Sequence, residues 1–154
     1  MQNALQGIGA GEAHARMIAD SYRQLLGRDL IDLNKDTAIW EQLFDSPVVI
    51  LSHGTEADPV LNFGNRAALT LWEMDWDMFT STPSRYTAEA MERSERDRFL
   101  QAVAEHGYVD NYTGIRISST GRRFYIKEAV VWNLHDDGGN YAGQAAAFKS
   151  FEHC

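Results

Sequence analysis

One carboxylate stands out in the sequence because of the strand that is predicted to carry it. The stretch from Arg122 to Leu134 is long, apolar and rich in β-branched residues, which is typical of a buried strand. Side chains alternate between the two faces of a strand. One face of this stretch then carries Phe124, Ile126, Glu128, Val130 and Trp132. Because a buried carboxylate must be paired, hydrogen-bonded or protonated, Glu128 is predicted to form a buried ion pair, to reach solvent with its side chain, or to orient a ligand in a pocket.

Other polar side chains could meet Glu128 in a pocket between sheet and helices. Arg116 lies on the preceding predicted strand, and Arg85 follows a proline break where its guanidinium fork could hold a carboxylate or phosphate group. Gln144 lies on the last predicted strand. The candidate ligand-binding residues are Trp72, Trp76, Arg85, Tyr86, Arg116, Glu128, Trp132 and Gln144. The alternative for each aromatic side chain is a place in the core, which is where most aromatic residues lie.

Motifs of known enzyme classes are missing from the sequence. There is no nucleophile elbow, phosphate-binding loop, dinucleotide-binding glycine motif or pair of zinc ligands. The glycine-rich segment 7–11 follows no predicted strand, so it does not meet the context that a nucleotide-binding loop requires. No catalytic residue and no metal site are assigned. A small α+β enzyme of the cone-shaped isomerase type, with Glu128 as general base, is kept as a second hypothesis.

Composition limits the class of protein. The chain has 154 residues, 44% of them hydrophobic and 23% charged, which predicts one globular domain with its own core. A net charge of −8 argues against a nucleic-acid surface, since phosphate contacts need basic residues. No apolar run approaches the roughly 18 residues of a membrane span. The N-terminus has no signal-peptide pattern, and the single cysteine, Cys154, fits a reducing cytoplasm.

The predicted elements describe an α+β domain. Residues 1–11 are predicted to be a flexible N-terminus, and residues 12–36 a helix with its connector. The later elements are a helix over Thr37–Phe44, strands over Val48–Ser52 and Val60–Phe63, a helix over Arg66–Trp72, short turns over Glu73–Ser84, a long helix over Ala88–His106, and strands over Tyr108–Ser118, Arg122–Leu134 and Tyr141–Phe148. These elements predict a five-stranded antiparallel sheet with helices packed on one face.

The N-terminal helix carries a stripe of apolar residues. Helix Glu12–Leu26 ends before Gly27, a typical C-cap glycine. Its stripe consists of Met17, Ile18, Tyr22, Leu25 and Leu26. Such a stripe either packs against the sheet or forms a surface for a partner. A homodimer through this helix and the outer face of the sheet is therefore a hypothesis.

Several motifs in this order resemble a known family. They are 62–68 (NFGNRAA), 71–72 (LW), 83–85 (PSR), 95–96 (ER), 112–118 (YTGIRIS), 121–124 (GRRF), 131–134 (VWNL) and 143–144 (GQ). In these motifs residues 37–151 resemble the MEKHLA domain, which is related to PAS domains. The resemblance implies a PAS-like sheet, and a sensory, small-molecule-binding or protein-interaction module in signalling.

The resemblance also bears on cofactors. In flavin-binding light sensors of this fold a glutamine on the last strand reads the flavin ring, and Gln144 occupies such a strand. Those sensors also need a reactive cysteine near the pocket, whereas Cys154 is terminal, so no covalent flavin is expected. Haem in this fold is usually held by a histidine on the long helix, where His106 is the one candidate. Haem and non-covalent flavin remain open, and the cofactor is unknown.

Overall fold

A computed structural model of the protein describes residues 5–154, apart from the side chains of residues 90–92. Its helices are α1 (Glu12–Leu26), α2 (Ile39–Asp45), α3 (Arg66–Trp72), α4 (Trp76–Phe79) and α5 (Ala90–His106). Its strands are β1 (Val49–His53), β2 (Leu61–Gly64), β3 (Tyr108–Ile117), β4 (Arg123–His135), β5 (Tyr141–Phe148) and β6 (Ser150–His153). Short 3-10 turns cover Ile8–Ala10 and Ser84–Thr87.

The strands form one antiparallel sheet in the order β2-β1-β5-β4-β3. This confirms the predicted α+β fold and its five-stranded sheet. A sixth strand, β6, continues along β4 beyond the end of β5 and pairs with residues 124–127. The sequence did not predict β6, because the segment after Phe148 is mostly polar and has no apolar alternation.

Helix α1 covers one face of the sheet, called the back face here. That face carries Ile50, Val130, Trp132, Leu134, Ala145 and Ala147, which form a core with α1 and α2. The Tyr22 and Trp132 rings meet edge to face with centroids 4.9 Å apart, and Trp132 Nε1 donates to the Ile18 carbonyl oxygen at 3.3 Å. The α1 stripe therefore packs on the sheet of its own chain.

Helices α3 and α5 cover the opposite face, called the front face. That face carries Val49, Leu51, Phe124, Ile126, Ala129 and Phe148, packed against α3 and Phe79. Asn65 joins α3 to the sheet: its side-chain oxygen accepts from the Ala68 and Ile50 amides, each at 3.1 Å, and its Nδ2 donates to the Val48 carbonyl. Because Asn65 is fully buried, this one side chain fixes the position of α3 over β1.

A β-bulge at Glu128 changes which residues of β4 face the helices. Ile126 pairs with Gly114 and Ala129 with Tyr112, so β4 has one residue more than β3 between these pairs. Glu128 is the extra residue and has a φ of +52°. The prediction that Glu128 lies in a buried apolar row is therefore wrong: Glu128 is exposed. For the same reason Trp132 faces the back, whereas Phe124 and Ile126 face the front.

The segment before α1 is ordered where the structure describes it. Gly9 is buried, and a Cβ atom on it would lie 1.6 Å from the Asn62 carbonyl oxygen. Trp40 Nε1 donates to the Gly9 carbonyl at 2.7 Å, and Trp76 Nε1 donates to the Gln6 carbonyl at 2.9 Å. Two indole groups thus use carbonyl oxygens of this segment as acceptors. Residues 1–4 lie outside the described part.

Candidate functional site

A cavity of about 60 Å³ lies between the front face and α5, and we call it the front cavity. Its polar lining consists of Ser52, His53, Ser84, Thr87, Arg96, Arg116 and Gln144. Its apolar lining includes Leu51, Leu61, Trp72, Phe99, Ile126, Val131 and Phe148. A cavity of this size has room for about four or five non-hydrogen atoms, given that a water molecule needs about 10–15 Å³ on the same measure.

Three polar side chains cross the central strands in one row. His53 on β1 is opposite Gln144 on β5, and Gln144 is opposite Asn133 on β4. His53 Nε2 and Gln144 Oε1 are 3.2 Å apart, and Gln144 Nε2 donates to Asn133 Oδ1 at 3.2 Å. Since Gln144 Nε2 also donates to the Leu100 carbonyl at 2.9 Å, the amide of Gln144 is fully engaged by the protein.

The row is also tied to the last turns of α5. Asn133 Nδ2 donates to the carbonyl oxygens of Val103 and Ala104, each at 3.1 Å. Together with the bond from Gln144 to Leu100, this gives α5 three side-chain hydrogen bonds from the two central strands. The position of α5 above the front cavity is thus set by polar contacts as well as by the burial of Val103.

Helix α5 brings one charged side chain into the front cavity. Arg96 precedes Phe99, Leu100 and Val103 by three, four and seven residues, which places all four on one face of the helix. Arg96 is 6% exposed. Its Nη2 donates to Ser84 Oγ, and its Nη1 donates at 3.2 Å to Asp97, whose side chain is 68% exposed.

A second guanidinium group enters from β3. Arg116 is 9% exposed, and its Nη1 donates to the Ile115 carbonyl oxygen at 2.8 Å. Its Nη2 lies 3.5 Å from the Tyr112 hydroxyl, and the Tyr112 ring stacks on Phe99 with centroids 3.9 Å apart. In the described part of the chain, Arg116 forms no ion pair.

Burial and charge set the protonation of this site. Burial, and then the positive charge of Arg116, lower the pKa of Arg96 to about 10, so Arg96 stays charged at pH 7. Burial, and then the charge of Arg96, lower the pKa of His53 to about 4, so His53 is neutral at pH 7. The described lining residues include no carboxylate, so they bring two positive charges and no negative one to the front cavity.

Two further hydrogen-bond donors lie at the wall of the front cavity. The Trp72 indole nitrogen is buried and has no partner among the described residues. Ser84 Oγ accepts from Arg96, so its own proton is left for another acceptor. Among the described residues, the polar groups of this site without a partner thus comprise these two donors and the buried Nδ1 of His53.

Of the eight predicted ligand-binding residues, Trp72, Arg116 and Gln144 line the front cavity. Trp132 lies on the back face under α1. Trp76 also belongs to the back core, where its ring meets Phe63 at 6.0 Å. The bulge and the position of α4 thus remove both tryptophans from the predicted pocket.

The other predicted residues lie at the surface. Arg85 pairs with Asp58 at 3.1 Å, and its guanidinium lies 4.3 Å from the centre of the exposed Tyr86 ring. Glu128 is exposed and does not line the front cavity. The isomerase hypothesis therefore has no buried general base at Glu128, because its premise was the apolar row that the bulge interrupts.

The candidate residues predicted from the sequence do not include His53, Ser84 and Arg96. In the sequence His53 begins a polar stretch rich in turn-forming residues, and Arg96 stands among many charged neighbours. The spacing of Arg96 to Phe99, Leu100 and Val103 was the signal that could have placed it inward. Ser84 lies in the motif 83–85, which points to the family but does not by itself assign a place in a site.

A flavin does not fit the front cavity. Sites for cofactors and drug-sized ligands measure roughly 300–1,000 Å³, several times the space that Trp72 and Phe99 leave here. Cys154 is exposed at the chain end and does not line this cavity. His106, the predicted haem candidate, is exposed in the last turn of α5. The lining residues thus accept neither cofactor as they stand.

The described residues contain neither a metal-binding cluster nor a membrane-spanning helix. No group of three or more histidine, cysteine, aspartate or glutamate side chains could hold a metal ion. In the same residues, no helix has the length and apolar character needed to cross a membrane.

Solved structures with a similar fold are PAS and light-oxygen-voltage proteins. A PAS domain from Colwellia psychrerythraea matches with a TM-score of 0.62 and 10% identity, covering 74% of this chain and 92% of that one. The blue-light photoreceptor Vivid matches with a TM-score of 0.58 and 13% identity, covering 89% of this chain and 93% of that one. At these identities the likeness shows the fold alone.

Similar sequences come from plants. The homeobox-leucine zipper protein ATHB-9 of Arabidopsis thaliana is 29% identical over 139 residues, which are 86% of this chain and 16% of that protein. The homeobox-leucine zipper protein HOX29 of Oryza sativa subsp. indica is 29% identical over 129 residues, which are 80% of this chain and 15% of that protein. The chain thus spans about a sixth of these relatives. The model of the MEKHLA domain matches residues 12–153, so the chain belongs to the MEKHLA domain family, as its motifs predicted.

Proposed function

We propose that this MEKHLA domain is a sensory module that binds a small molecule in the front cavity. The observation that supports this proposal is the cavity itself, in which buried polar and charged side chains surround a space of about 60 Å³. A protein core that served only for stability would be filled by apolar groups, because buried charges cost free energy.

The contacts of α5 provide a route from occupancy to a change of shape. Arg96 and Phe99 line the front cavity from α5, while Gln144 and Asn133 hold the same helix through its backbone carbonyls. A ligand that moved Arg96 would therefore act on a helix tied to the two central strands. Such a shift in α5, which leads directly into β3, is the proposed output.

A cavity-filling variant tests this proposal. Ala146 lines the front cavity, so Ala146→Leu adds three carbon atoms to the space that the ligand would occupy. Compounds of up to about six non-hydrogen atoms are screened for a rise in melting temperature with the native chain, Ala146→Leu, and the control Ala104→Leu on the exposed side of α5. Some compound is expected to stabilise the native chain and Ala104→Leu but not Ala146→Leu. No hit at all, or hits shared by Ala146→Leu, would contradict the proposal.

The second candidate is a homodimer. Because Ile18 and Tyr22 are buried against the chain's own sheet, a dimer would have to use the part of the back face that α1 leaves uncovered. Tyr125 lies on that face and is 40% exposed, so Tyr125→Ser probes this surface. Light scattering at micromolar concentration tests the idea: a monomeric native chain would contradict the dimer, and a dimer that Tyr125→Ser leaves unchanged would place the interface elsewhere.

We also propose that the module acts in the cytoplasm. Support comes from its one cysteine, Cys154, which is free and exposed and suits a reducing compartment. Fractionation of cells that express the native protein tests this location, and recovery outside the cytoplasm would contradict it.

A further inference from the structure

We propose that the front cavity binds a small oxyanion between Arg96 and Arg116: a carboxylate or an inorganic oxyanion of about four or five non-hydrogen atoms. This assignment rests on the proposed function, because it names the chemical class of the ligand for the same cavity.

The first argument is charge. Arg96 and Arg116 reach the front cavity from opposite walls, α5 and β3, and both are at least nine-tenths buried. Among the described residues, Arg96 has one carboxylate partner, the largely exposed Asp97, and Arg116 has none. Two like charges held in low dielectric repel each other and lose hydration, and an anion between them would relieve both costs.

The second argument is the balance of donors and acceptors. Trp72 Nε1 and the proton of Ser84 Oγ lack acceptors among the described residues. Two acceptors in this wall are occupied, because Gln144 Oε1 faces His53 Nε2 and Asn133 Oδ1 takes a proton from Gln144. The buried Nδ1 of His53 also has no partner among the described residues. With two guanidinium groups, the Trp72 indole and the Ser84 hydroxyl, the described wall offers more donors than acceptors, so a ligand with several acceptor oxygens would complement it, whereas an amine would add a further donor.

The third argument is size and geometry. A guanidinium group presents paired N–H groups that match the two oxygens of a carboxylate or nitrate. Acetate and nitrate have four non-hydrogen atoms and phosphate has five, which matches the room in the front cavity. Phe99, stacked on Tyr112, closes the apolar side of this space, so a long alkyl chain would not fit without rearrangement.

The test measures melting temperature with sodium acetate, sodium nitrate and sodium phosphate, and with sodium chloride at equal ionic strength as the reference. Acetamide, a neutral molecule with the shape of acetate, is the matched control ligand. At ten times the dissociation constant, an oxyanion is expected to raise the melting temperature by about 3–6 °C above the reference, and acetamide is not. A response to acetate alone assigns an organic carboxylate, and a response to nitrate or phosphate alone assigns an inorganic oxyanion; either supports the proposal.

Variants locate the site. Arg96→Gln and Arg116→Gln are each expected to weaken oxyanion binding by about tenfold or more, since each removes a charged hydrogen-bond donor. Arg85→Gln, which removes an exposed arginine paired with Asp58, is expected to bind like the native chain. If Arg96→Gln fails to fold, Arg116→Gln and a nuclear magnetic resonance titration of the native chain still decide, with shifts expected at Ser84 and Phe99 and not at the exposed Gly138.

Three results would overturn the assignment. Stabilisation by acetamide equal to that by acetate would show that charge is irrelevant. Unchanged oxyanion binding in both arginine variants would place the anion elsewhere. A neutral compound that stabilises the native chain but not Ala146→Leu, with no oxyanion effect, would refute the oxyanion class and leave the proposed function standing.

Discussion

The two faces of the sheet bury different chemistry. On the back face α1 closes over Trp132 and Leu134, and the Trp132 indole nitrogen donates to the Ile18 carbonyl. On the front face α5 closes over Arg96 and Arg116, and the Trp72 indole nitrogen has no described partner. The back face is mainly an apolar core that also buries His14, whereas the front face retains two buried guanidinium groups, as binding sites do. Four predictions test this difference, from the largest expected effect to the smallest.

Trp132→Ala should cost about 3–5 kcal/mol of unfolding free energy, because it leaves a large cavity beneath Tyr22 and Ile18. Arg116→Leu on the front face should stay within about 1 kcal/mol of the native chain or be more stable, since it removes a buried charge with no described ion-pair partner. Urea unfolding measures both. A larger loss for Arg116→Leu than for Trp132→Ala would reverse the roles of the two faces.

Acid should destabilise the protein through one histidine on each face. Burial lowers the pKa of His14, against the back of the sheet, and of His53, in the front cavity, from 6.5 to about 4. Below pH 6.5 the unfolded chain therefore takes up protons that the folded chain does not, and stability falls as the pH falls from 6.5 towards 4. Between pH 8 and pH 5 each histidine should lower the free energy of unfolding by roughly 2 kcal/mol.

The variants His14→Gln and His53→Gln separate the two contributions, each flattening part of the pH profile measured by urea unfolding. Nitrate in the front cavity would offset the charge of Arg96. It should therefore reduce the contribution of His53 to the loss of stability in acid and leave the contribution of His14 unchanged. An unaltered profile in both variants would mean that neither histidine is buried in its neutral form.

Gly9→Ala should lower stability by about 1–2 kcal/mol, because its Cβ would lie 1.6 Å from the Asn62 carbonyl and would push the 3-10 turn off the sheet. Gly11→Ala is the control, since its Cβ would meet no atom closer than 3.8 Å and its φ is −101°. Thermal unfolding compares them. Equal melting temperatures would show that the segment before α1 adds nothing to the back face.

Glu128→Gly should change the unfolding free energy by less than about 1 kcal/mol, and towards greater stability, because glycine accepts a φ of +52° without strain. Glu128→Val should lower the unfolding free energy by about 1 kcal/mol or more, because a β-branched residue is strained at this φ. Both belong in one urea series with the native chain. A strong loss in Glu128→Gly would give the carboxylate a structural role that its exposure does not suggest.

Local patterns predicted the fold, and long-range contacts decided the site. The stripe around Ile18 and Tyr22 and the turn before Tyr141 were enough to place α1 and β5. The bulge at Glu128 was not predictable, because its cause is a register shift against β3 and not a residue type that disfavours strands. His53 and Arg96 look like surface residues in the sequence, and the fold brings them together with Gln144 from over 40 residues away.

The bulge also has a consequence for changes in chain length. Glu128 is a residue that β4 holds in excess over its partner strand, so a chain lacking it could pair regularly and keep Val131 at the front and Trp132 at the back. Removal of Val131 instead would leave Trp132 one step out of phase and turn it towards the front cavity. We therefore expect the fold to tolerate deletion of Glu128 at the bulge. Deletion of Val131, three residues later, should instead turn the following residues of β4 to the opposite face of the sheet.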